Sequence, residues 1–309
     1  MAAFTLGWRD VDGTPRPGKS GKGLRPVLAL ICAEGVGARA ETVVPGAVAV
    51  ELIHTFSLVH DDIMDGDDRR RHRPSTWKAY GVGPAVMAGD ALLALAVETL
   101  ACAPSANASQ AIRLLSSTLI ELVDGQAQDL HFEARPWTGS DAVTVDEYQA
   151  MAARKTGALL ACSAAIGPVL AGARMSVVEA IAQMGRHLGL AFQAVDDLLG
   201  IWGDPAITGK PVYSDLRQRK KTIPVVAALA TGTVAGRRLA ALLAAGWSDD
   251  EDLRRAAALV SEAGGRAMTE DLARRHVTVA LQIVRDASLA KSAAEDLAAL
   301  SSFVIERIH

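Results

Sequence analysis

The stretch ELIHTFSLVHDDIMDGDDRRRHRP, at positions 51–74, joins a long apolar run to a dense group of charges. The apolar residues recur with helical spacing, and the last seventeen residues then contain five aspartates and four arginines. Like charges at this density repel one another, so either solvent separates them or a ligand binds between them. The stretch therefore predicts a helix that leads into a charged site.

Composition predicts that the rest of the chain is helical as well. Half of the 309 residues are hydrophobic but only 4% are aromatic, and alanine and leucine dominate the apolar set. These residues favour helices, whereas the β-branched and aromatic clusters typical of strands are scarce. No repeat or long linker divides the chain, so we expect an all-α, single-domain helical bundle over residues 1–309. The predicted helices are 24–36, 41–65, 84–102, 107–131, 145–173, 177–202, 220–231, 234–245, 248–263, 267–287 and 291–307.

Four capping-box patterns support the predicted helix starts. In each, a serine or threonine precedes a glutamate by three residues at the beginning of an apolar-periodic run. They are Thr144–Glu147, Ser176–Glu179, Ser248–Glu251 and Ser292–Glu295.

Charge and cysteine content argue against several classes of function. The net charge is −3, so no overall positive field favours nucleic acid as a partner. Cys32, Cys102 and Cys162 lie far apart in apolar segments, which is typical of reduced thiols in a cytosolic protein rather than of disulfides or a zinc site. The N-terminus lacks the basic start and apolar core of a signal peptide.

The uncharged segment between Lys155 and Arg174 is about as long as the shortest membrane span. It contains Ser163, Pro168 and three glycines, so a helix buried on all sides within a large bundle is the preferred interpretation. We therefore predict no membrane span and a cytoplasmic location.

Two pairs of neighbouring aspartates are candidate metal ligands. Asp61 and Asp65 are one helical turn apart, with Asp62 beside them, and Asp196 and Asp197 lie near the end of a second strongly apolar helix. Taken alone, the first cluster could equally be a solvated acidic helix end. Charges on core-lining helices are rare unless they are paired or bound to metal, so two such clusters could face each other across a cavity and hold Mg²⁺ with diphosphate.

Basic residues occur in the breaks between helices and within one apolar helix. Any one of them could be a solvated surface charge, and a nucleic-acid groove is conceivable, but neither explains two aspartate pairs on apolar helices. Acidic clusters combined with scattered cations predict a metal–diphosphate substrate. The basic candidates are Lys22, Arg25, Arg70, Arg71, Lys155, Lys210, Lys220 and Lys221.

Seven motifs, in order and at compatible spacings, resemble those of the trans-isoprenyl diphosphate synthases. The resemblance covers about residues 7–225 strongly and the C-terminal helices by pattern only. It implies an all-α bundle around a deep central cavity, usually as a homodimer. The motifs are GKxxRP (21–26), ELIHTFSLVHDD (51–62), DDxxD (61–65) with the arginines at 70–71, GQxxDL (125–130), KTG (155–157), FQxxDD (192–197) and TGKPxxSDLRxRKKTxPV (208–225).

The resemblance also implies an activity and a role for each matching residue. An allylic diphosphate ionises with the help of three Mg²⁺, and isopentenyl diphosphate attacks the resulting cation. Asp61, Asp65 and Asp196 are implied as metal ligands, with Asp62 and Asp197 as ligands or their supports. The residues implied for the allylic diphosphate are Arg70, Lys155, Lys210 and Lys220, with Thr156 and Gln193 in the same site. Those implied for isopentenyl diphosphate are Lys22, Arg25, His54 and Arg71, although His54 could equally be a core histidine.

The sequence departs from the family pattern at three places. Gly200 stands where many relatives carry a third aspartate, and we expect that restoring an aspartate tightens metal dependence and modestly raises stability. Gly23 replaces a common basic residue. About twenty residues precede Lys22, so a shortened or missing first helix is expected.

Two other functions compatible with the same fold were considered. A terpene cyclase needs aromatic faces around its cation, and only thirteen aromatic residues are present. A cyclase also has no use for a second diphosphate site. A catalytically silent subunit would be consistent with Gly200 and the short N-terminus. The prediction is a synthase.

Product length depends on the residues four and five before Asp61. In the resembling family, a bulky aromatic residue four before the motif stops growth at farnesyl length. An aromatic residue five before it, with a small residue at four, is similar to the geranylgeranyl diphosphate synthases. Phe56 and Ser57 match the second pattern. We expect geranylgeranyl diphosphate, unless Phe56 only packs against a neighbouring helix and length is set elsewhere, such as across the dimer interface.

Overall fold

The structure is a computed structural model that describes residues 1–16, 23–70, 73–209, 211–247 and 249–306. Within these ranges the chain forms sixteen α-helices, one π-helical turn and a two-stranded hairpin, so the all-α prediction is confirmed. The first elements are α1 (Ala2–Thr5), α2 (Leu24–Gly35), α3 (Ala40–Met64), β1 (Arg69–Arg70), β2 (Arg73–Pro74), α4 (Thr76–Tyr80), α5 (Val82–Ala101) and α6 (Ala108–Ala134). They are followed by α7 (Val145–Ala152), the π-turn (Ala153–Gly157), α8 (Ala158–Leu170), α9 (Met175–Trp202), α10 (Pro205–Thr208), α11 (Ser214–Arg217), α12 (Ile223–Ala230), α13 (Val234–Ala245), α14 (Asp250–Glu262), α15 (Gly265–Asp286) and α16 (Lys291–Glu306).

The predicted long helices are present, with ends displaced by no more than three residues. One predicted helix, 145–173, differs, because the π-turn divides it into α7 and α8. The short helices α1, α4, α10 and α11 and the hairpin were not predicted, since elements this short carry little periodicity.

Capping explains where two of the helices begin. The box at Thr144 is confirmed, because the threonine side chain accepts from the Glu147 backbone and the glutamate accepts from the Thr144 backbone. Ser176 and Ser292 lie inside helices that start one residue earlier, so those two boxes are wrong. Ser248 lies outside the described residues, and Asp249 caps α14 instead.

The chain divides into two compact units, each built from three separate segments. Unit 1 comprises Met1–Ser117, Cys162–Ala182 and Ala287–Leu297. Unit 2 comprises Thr118–Ala161, Gln183–Asp286 and Ala298–His309. The single-domain assignment for residues 1–309 stays a prediction.

In unit 1, α3 packs along α2 and α5. Leu28, Ile53 and Leu92, one on each of these helices, are fully buried. Gly167 permits close helix contact in this unit, since a Cβ there would lie 2.5 Å from the carbonyl oxygen of Ala29. The C-terminal end of α3, which carries the first acidic motif, is therefore fixed by packing.

In unit 2, α12 lies at the centre and contacts α7, α13, α14 and α15. Its residues from Ile223 to Ala228 are all buried. Gly265 brings α15 close to α12, because a Cβ on this residue would overlap the carbonyl oxygen of Pro224. The N-terminal end of α12 is thereby held in place, and its first amide takes part in the second acidic motif described below.

The segment 157–170 is buried throughout, as predicted for the uncharged stretch after Lys155. Two other helices, α3 and α5, are long and apolar enough to cross a membrane by length and composition. This is weak evidence, because core helices of folded proteins pass the same test. The cytoplasmic location stays a prediction.

Candidate active site

The first acidic motif lies at the C-terminal end of α3 in unit 1. Asp61 and Asp62 occupy the last turn of the helix, and Asp65 is its C-terminal cap. Asp61 and Asp65 are partly exposed, whereas Asp62 is only 3% exposed. The two accessible carboxylates are one turn apart on one face, which is a suitable arrangement for a cation that binds oxygen.

The buried carboxylate of this motif is held by an arginine. The β1–β2 hairpin brings Arg70 back to Asp62, whose Oδ1 accepts from Nε at 2.7 Å and lies 2.6 Å from Nη2. Burial disfavours the charge on Arg70, but the hydrogen bond and negative charge of Asp62, with Asp61 and Asp67 nearby, raise its pKa above the ordinary value. Arg70 thus contacts a motif carboxylate, and its predicted role towards the allylic diphosphate stays a prediction.

In the second acidic motif, on α9 in unit 2, the two adjacent aspartates also differ in exposure. Asp196 is exposed, whereas Asp197 is 3% exposed. Asp197 Oδ2 accepts from the Tyr148 hydroxyl at 2.5 Å and from the Ile223 amide at 3.0 Å. Its Oδ1 accepts from Gln193 Nε2 at 2.8 Å. In both motifs, then, the first aspartate is accessible and the second is buried in protein hydrogen bonds.

Burial dominates the electrostatics of the second motif. It raises the pKa of Asp197 to about 7, although the hydrogen bonds from Tyr148 and Ile223 favour the charged form. Burial and the adjacent Asp197 also hold the pKa of Tyr148 well above its ordinary value. Tyr148 is therefore a neutral donor at physiological pH.

The π-turn places Lys155 against α6 within unit 2. Lys155 Nζ lies 2.5 Å from Asp129 Oδ2, and Gly125 stands one turn before Asp129 on α6. A Cβ on Gly125 would lie 2.8 Å from the Cα of Lys155, so only glycine admits the bulged backbone at this distance. π-Bulges occur frequently at functional sites. The GQxxDL and KTG motifs are thus in direct contact with each other.

A chain of hydrogen bonds links the KTG motif to the second acidic motif. Thr156 Oγ1 donates to Gln193 Oε1 at 2.6 Å, and Gln193 Nε2 donates to Asp197. The structure therefore brings together four residues that the sequence placed in the site, namely Lys155, Thr156, Gln193 and Asp197.

The remaining basic candidates are distributed differently. Arg25, in the first turn of α2, and His54, on α3, are both partly buried in unit 1. Lys220 is partly buried in unit 2. The next residue, Lys221, is 7% exposed, donates to the carbonyl of Glu133 at 3.1 Å and lies over the Trp137 ring. Lys22, Arg71 and Lys210 lie outside the described residues.

The structure corrects the expectation for Gly200. A Cβ on this residue would overlap Oδ2 and Cγ of Asp215 and lie 2.8 Å from its Oδ1. A side chain at position 200 therefore has to displace Asp215, so an aspartate there gains no simple stability. The carboxylate of Asp215 packs directly against Gly200.

Phe56 and Ser57, the residues predicted to control product length, lie on different faces of α3. Phe56 is 8% exposed, and its ring meets the His60 ring edge-on with centroids 4.8 Å apart. His60 fits against α5 at Gly89, where a Cβ would lie 2.6 Å from its Cδ2. Ser57, four residues before Asp61, shares the face of Asp61. Phe56 is thus a fixed ring, backed by a side chain that is itself held against α5.

The donor chemistry of the accessible residues fits Mg²⁺ bound together with phosphate. Asp61, Asp65 and Asp196 offer hard carboxylate oxygens. In the described part of the chain, no group of three or more His, Cys, Asp or Glu could hold a metal by itself. Mg²⁺ at phosphate sites is typically held by one or two carboxylates plus substrate oxygens, so a complete protein cage is not required.

Three residues at these sites were not predicted. Asp129 stands in a quoted motif at a helical spacing of four from Gly125, which could have indicated it. Asp215 belongs to the SDLR segment, but no signal placed it against Gly200. Tyr148 has the spacing of a core residue, and nothing in the sequence connects it to Asp197.

Comparisons with known proteins identify the family of this chain. The polyprenyl synthetase family matches residues 17–260. The (2E,6E)-farnesyl diphosphate synthase of Mycobacterium tuberculosis is 47% identical over 99% of this chain and 85% of its own length. The geranylgeranyl diphosphate synthase of the same organism is 43% identical over 99% and 86%. The crystal structure of a polyprenyl synthetase from Streptomyces coelicolor, 49% identical, aligns over 98% of this chain and 90% of its own with a TM-score of 0.91.

Proposed function

The chain belongs to the polyprenyl synthetase family, and we propose that its main product is geranylgeranyl diphosphate. It is a trans-prenyl diphosphate synthase, whose substrates are isopentenyl diphosphate and an allylic diphosphate. The reaction breaks the allylic carbon–oxygen bond and releases diphosphate. A carbon–carbon bond to isopentenyl diphosphate then forms, and transfer of a proton from the new cation to the released diphosphate restores a double bond.

Ionisation leaves a cation on the allylic carbon and charge on the departing diphosphate. Mg²⁺, when bound, would neutralise the negative charge on the diphosphate. Asp61 and Asp65, and on α9 Asp196, are the assigned metal-binding carboxylates, with three Mg²⁺ per active site as the family resemblance implies. The accessibility of these three residues supports the assignment. Asp62 and Asp197 hold their helix ends in place through buried hydrogen bonds.

Lysines and arginines bind the two diphosphates. Lys155, Lys210 and Lys220 are assigned to the allylic diphosphate, with Arg70, Thr156 and Gln193. Lys22, Arg25, His54 and Arg71 are assigned to isopentenyl diphosphate. Asp129 orients Lys155, because the 2.5 Å contact fixes the ammonium group at one point on the π-turn.

The proposal on product length rests on the position of Phe56. The growing chain extends along α3 from the acidic motif towards the helix N-terminus, and Ser57 is too small to stop it at the first turn. Phe56, one residue deeper, is buried and held by His60, so its ring cannot easily turn aside. The similar proteins include both a farnesyl and a geranylgeranyl synthase, so similarity alone leaves the product length undecided.

Product sizing tests this proposal. Purified protein is incubated with Mg²⁺ and isopentenyl diphosphate, together with dimethylallyl, geranyl or farnesyl diphosphate, and the products are separated by chain length. A C20 diphosphate from all three primers supports the proposal. A product that ends at C15, with farnesyl diphosphate left unused, overturns it.

A second copy of the chain is the proposed protein partner. In α5, five apolar side chains are between 37% and 64% exposed, although the opposite side of the helix packs on α3. Exposed apolar patches of this kind are typical of protein interfaces. We expect light scattering to give twice the chain mass of 32.3 kDa, and Met87→Glu to lower it. A wild-type mass equal to one chain contradicts the homodimer. The five residues are Val82, Val86, Met87, Leu95 and Val97.

A further inference from the structure

The π-turn that carries Lys155 lies between two helices of unit 2, α6 and α9. On α6, Glu121, Gly125 and Asp129 follow one another at intervals of one helical turn and therefore share a face. Gly125 admits the backbone of Lys155 at close range, and Asp129 meets its ammonium group. Both of these contacts are made with Lys155 itself.

The face of α9 that packs on the π-turn has a similar spacing, with Arg186, Gly189 and Gln193 on one side of the helix. A Cβ on Gly189 would lie 2.6 Å from the Cα of Gly157, so the last residue of the turn approaches α9 at a distance that only glycine permits. Gln193 accepts from Thr156 at 2.6 Å. The second half of the π-turn is therefore fixed against α9.

The first half of the π-turn is bound by Arg186. Its Nη1 donates at 3.2 Å to the carbonyl of Ala153, the first of the five residues of the turn. Its Nη2 donates to Glu121 Oε2 on α6 at 3.0 Å. One planar guanidinium group thus joins the backbone of the turn to both flanking helices. Arg186 lies outside the seven sequence motifs, so none of them assigns it a role.

The direction of the Lys155 side chain depends on the backbone of this turn. A π-turn contains one residue more than an α-helical turn and is rare, so each one needs contacts that hold it. Consecutive residues of an α-helix are rotated by about 100°. If the extra residue were absorbed into a regular helix, Lys155 would rotate by that angle away from Asp129. The hydrogen bond from Arg186 to the first carbonyl of the turn opposes this change.

We propose that Arg186 is a positioning residue, which keeps the π-turn in the form that directs Lys155 to the allylic diphosphate. The inference rests on the proposed function, which assigns Lys155 to that diphosphate. Arg186 acts through the backbone of the turn rather than by contact with the substrate.

A double-mutant cycle tests the inference without turnover. Binding of an unreactive thio analogue of geranyl diphosphate is measured by calorimetry in the presence of Mg²⁺. Arg186→Gln and Lys155→Met should each weaken binding by about 10–100-fold, which corresponds to the loss of one hydrogen bond to a charged group. The double variant should bind at most about threefold more weakly than Lys155→Met, because Arg186 acts only through that lysine.

Two further variants separate positioning from charge. Arg154→Gln removes a positive charge from the same π-turn, where Arg154 pairs with the exposed Asp124 at 3.0 Å, and binding should stay within about twofold of the wild type. Arg186→Lys keeps the charge but replaces the planar group by a single ammonium, so binding should still weaken by about threefold or more. If Arg186→Gln fails to fold, the same cycle is measured with Arg186→Lys.

The Michaelis constants give a second readout that a loss of folded protein would not change. In Arg186→Gln the constant for the allylic diphosphate should rise about tenfold or more, while that for isopentenyl diphosphate stays within about twofold of the wild type. A smaller amount of folded protein would lower kcat alone.

The outcomes separate this inference from the proposed function. Wild-type binding in Arg186→Gln, an equal loss in Arg154→Gln, or fully additive losses in the double variant would overturn the role of Arg186. Wild-type binding in Lys155→Met would instead contradict the assignment of Lys155 to the allylic diphosphate.

Discussion

The hydroxyl of Tyr148 donates to Asp197 Oδ2 at 2.5 Å, and both side chains are buried. The contact joins α7 to α9 and fixes the carboxylate of Asp197, the residue that follows the exposed Asp196. Asp62, the residue that follows Asp61, likewise accepts a hydrogen bond, in this case from Arg70. In each pair of adjacent aspartates, the first residue is thus accessible and the second is fixed inside the protein.

Tyr148→Phe should destabilise the protein while leaving its helices intact. The change removes a buried donor and leaves Asp197 partly unsatisfied, which costs about 1–3 kcal/mol in the free energy of unfolding. Urea denaturation followed by circular dichroism measures this. Tyr80→Phe is the matched control, because the Tyr80 hydroxyl makes only a long, exposed contact with the Val11 carbonyl. Equal stability of the two variants would argue against a structural role for the buried hydrogen bond.

Asp61→Asn should lower turnover by about a thousandfold or more, since charge stabilisation in the transition state is among the largest catalytic terms. The substitution keeps the size of the residue, so the circular dichroism spectrum should not change. Asp68→Asn serves as the control, because Asp68 is exposed and pairs with Lys78. If Asp61→Asn retains near-wild-type turnover with Mg²⁺ present, the metal assignment on α3 is wrong.

Exchange of the residues that control length should change the product in opposite directions. Phe56→Ala removes the ring that ends the chain, so products longer than C20 should appear. Ser57→Phe places a ring one residue nearer to Asp61, so the product should shorten towards C15. Chromatography of the prenyl products measures both. Wild-type product lengths from both variants would mean that the end of the chain lies elsewhere.

A histidine pair in unit 2 should make the protein sensitive to acid. His187 and His276 share a hydrogen bond between their Nδ1 atoms at 2.9 Å, which requires the Nδ1 atom of the accepting ring to be unprotonated. Burial, with the nearby His187 and Arg275, lowers the pKa of His276 to about 4. The unfolded chain, with an ordinary histidine pKa near 6.5, therefore binds more protons than the folded protein between about pH 6.5 and 4.

It follows that the contribution of His276 to stability is present above about pH 6.5 and is lost as the pH falls towards 4. His276→Gln should flatten the dependence of the unfolding free energy on pH in this window. His131→Gln, at an exposed position on α6, should leave the wild-type slope unchanged. A slope in His276→Gln equal to that of the wild type contradicts the role of the pair.

The sequence predicted those parts of the molecule that have local signals. Helical periodicity located the long helices, and the spacing of Asp61 and Asp65 identified the first motif because four residues complete one turn. The π-turn escaped prediction because the segment Ala153–Gly157 contains no signal that separates it from the predicted helix 145–173. One extra residue in a helical turn leaves no mark on composition.

The partners of the buried aspartates could not be predicted for a different reason. Tyr148 and Asp197 are 49 residues apart, and their contact depends on how α7 and α9 pack. The contact between Asp215 and Gly200 could not be predicted either. A glycine at position 200 gives no sign in the sequence that the carboxylate of Asp215 fills the space beside it. Hydrogen bonds and steric fits between distant segments carry no periodic signal.

Release of diphosphate from farnesyl diphosphate is the most direct test of the central claim, that this enzyme joins two substrates. Purified protein with Mg²⁺ is given farnesyl diphosphate, with and without isopentenyl diphosphate, and the released diphosphate is measured. We predict release only when isopentenyl diphosphate is present, with one diphosphate for each C20 product formed. Release at the same rate without isopentenyl diphosphate, accompanied by a hydrocarbon product, would show a cyclase and contradict the account.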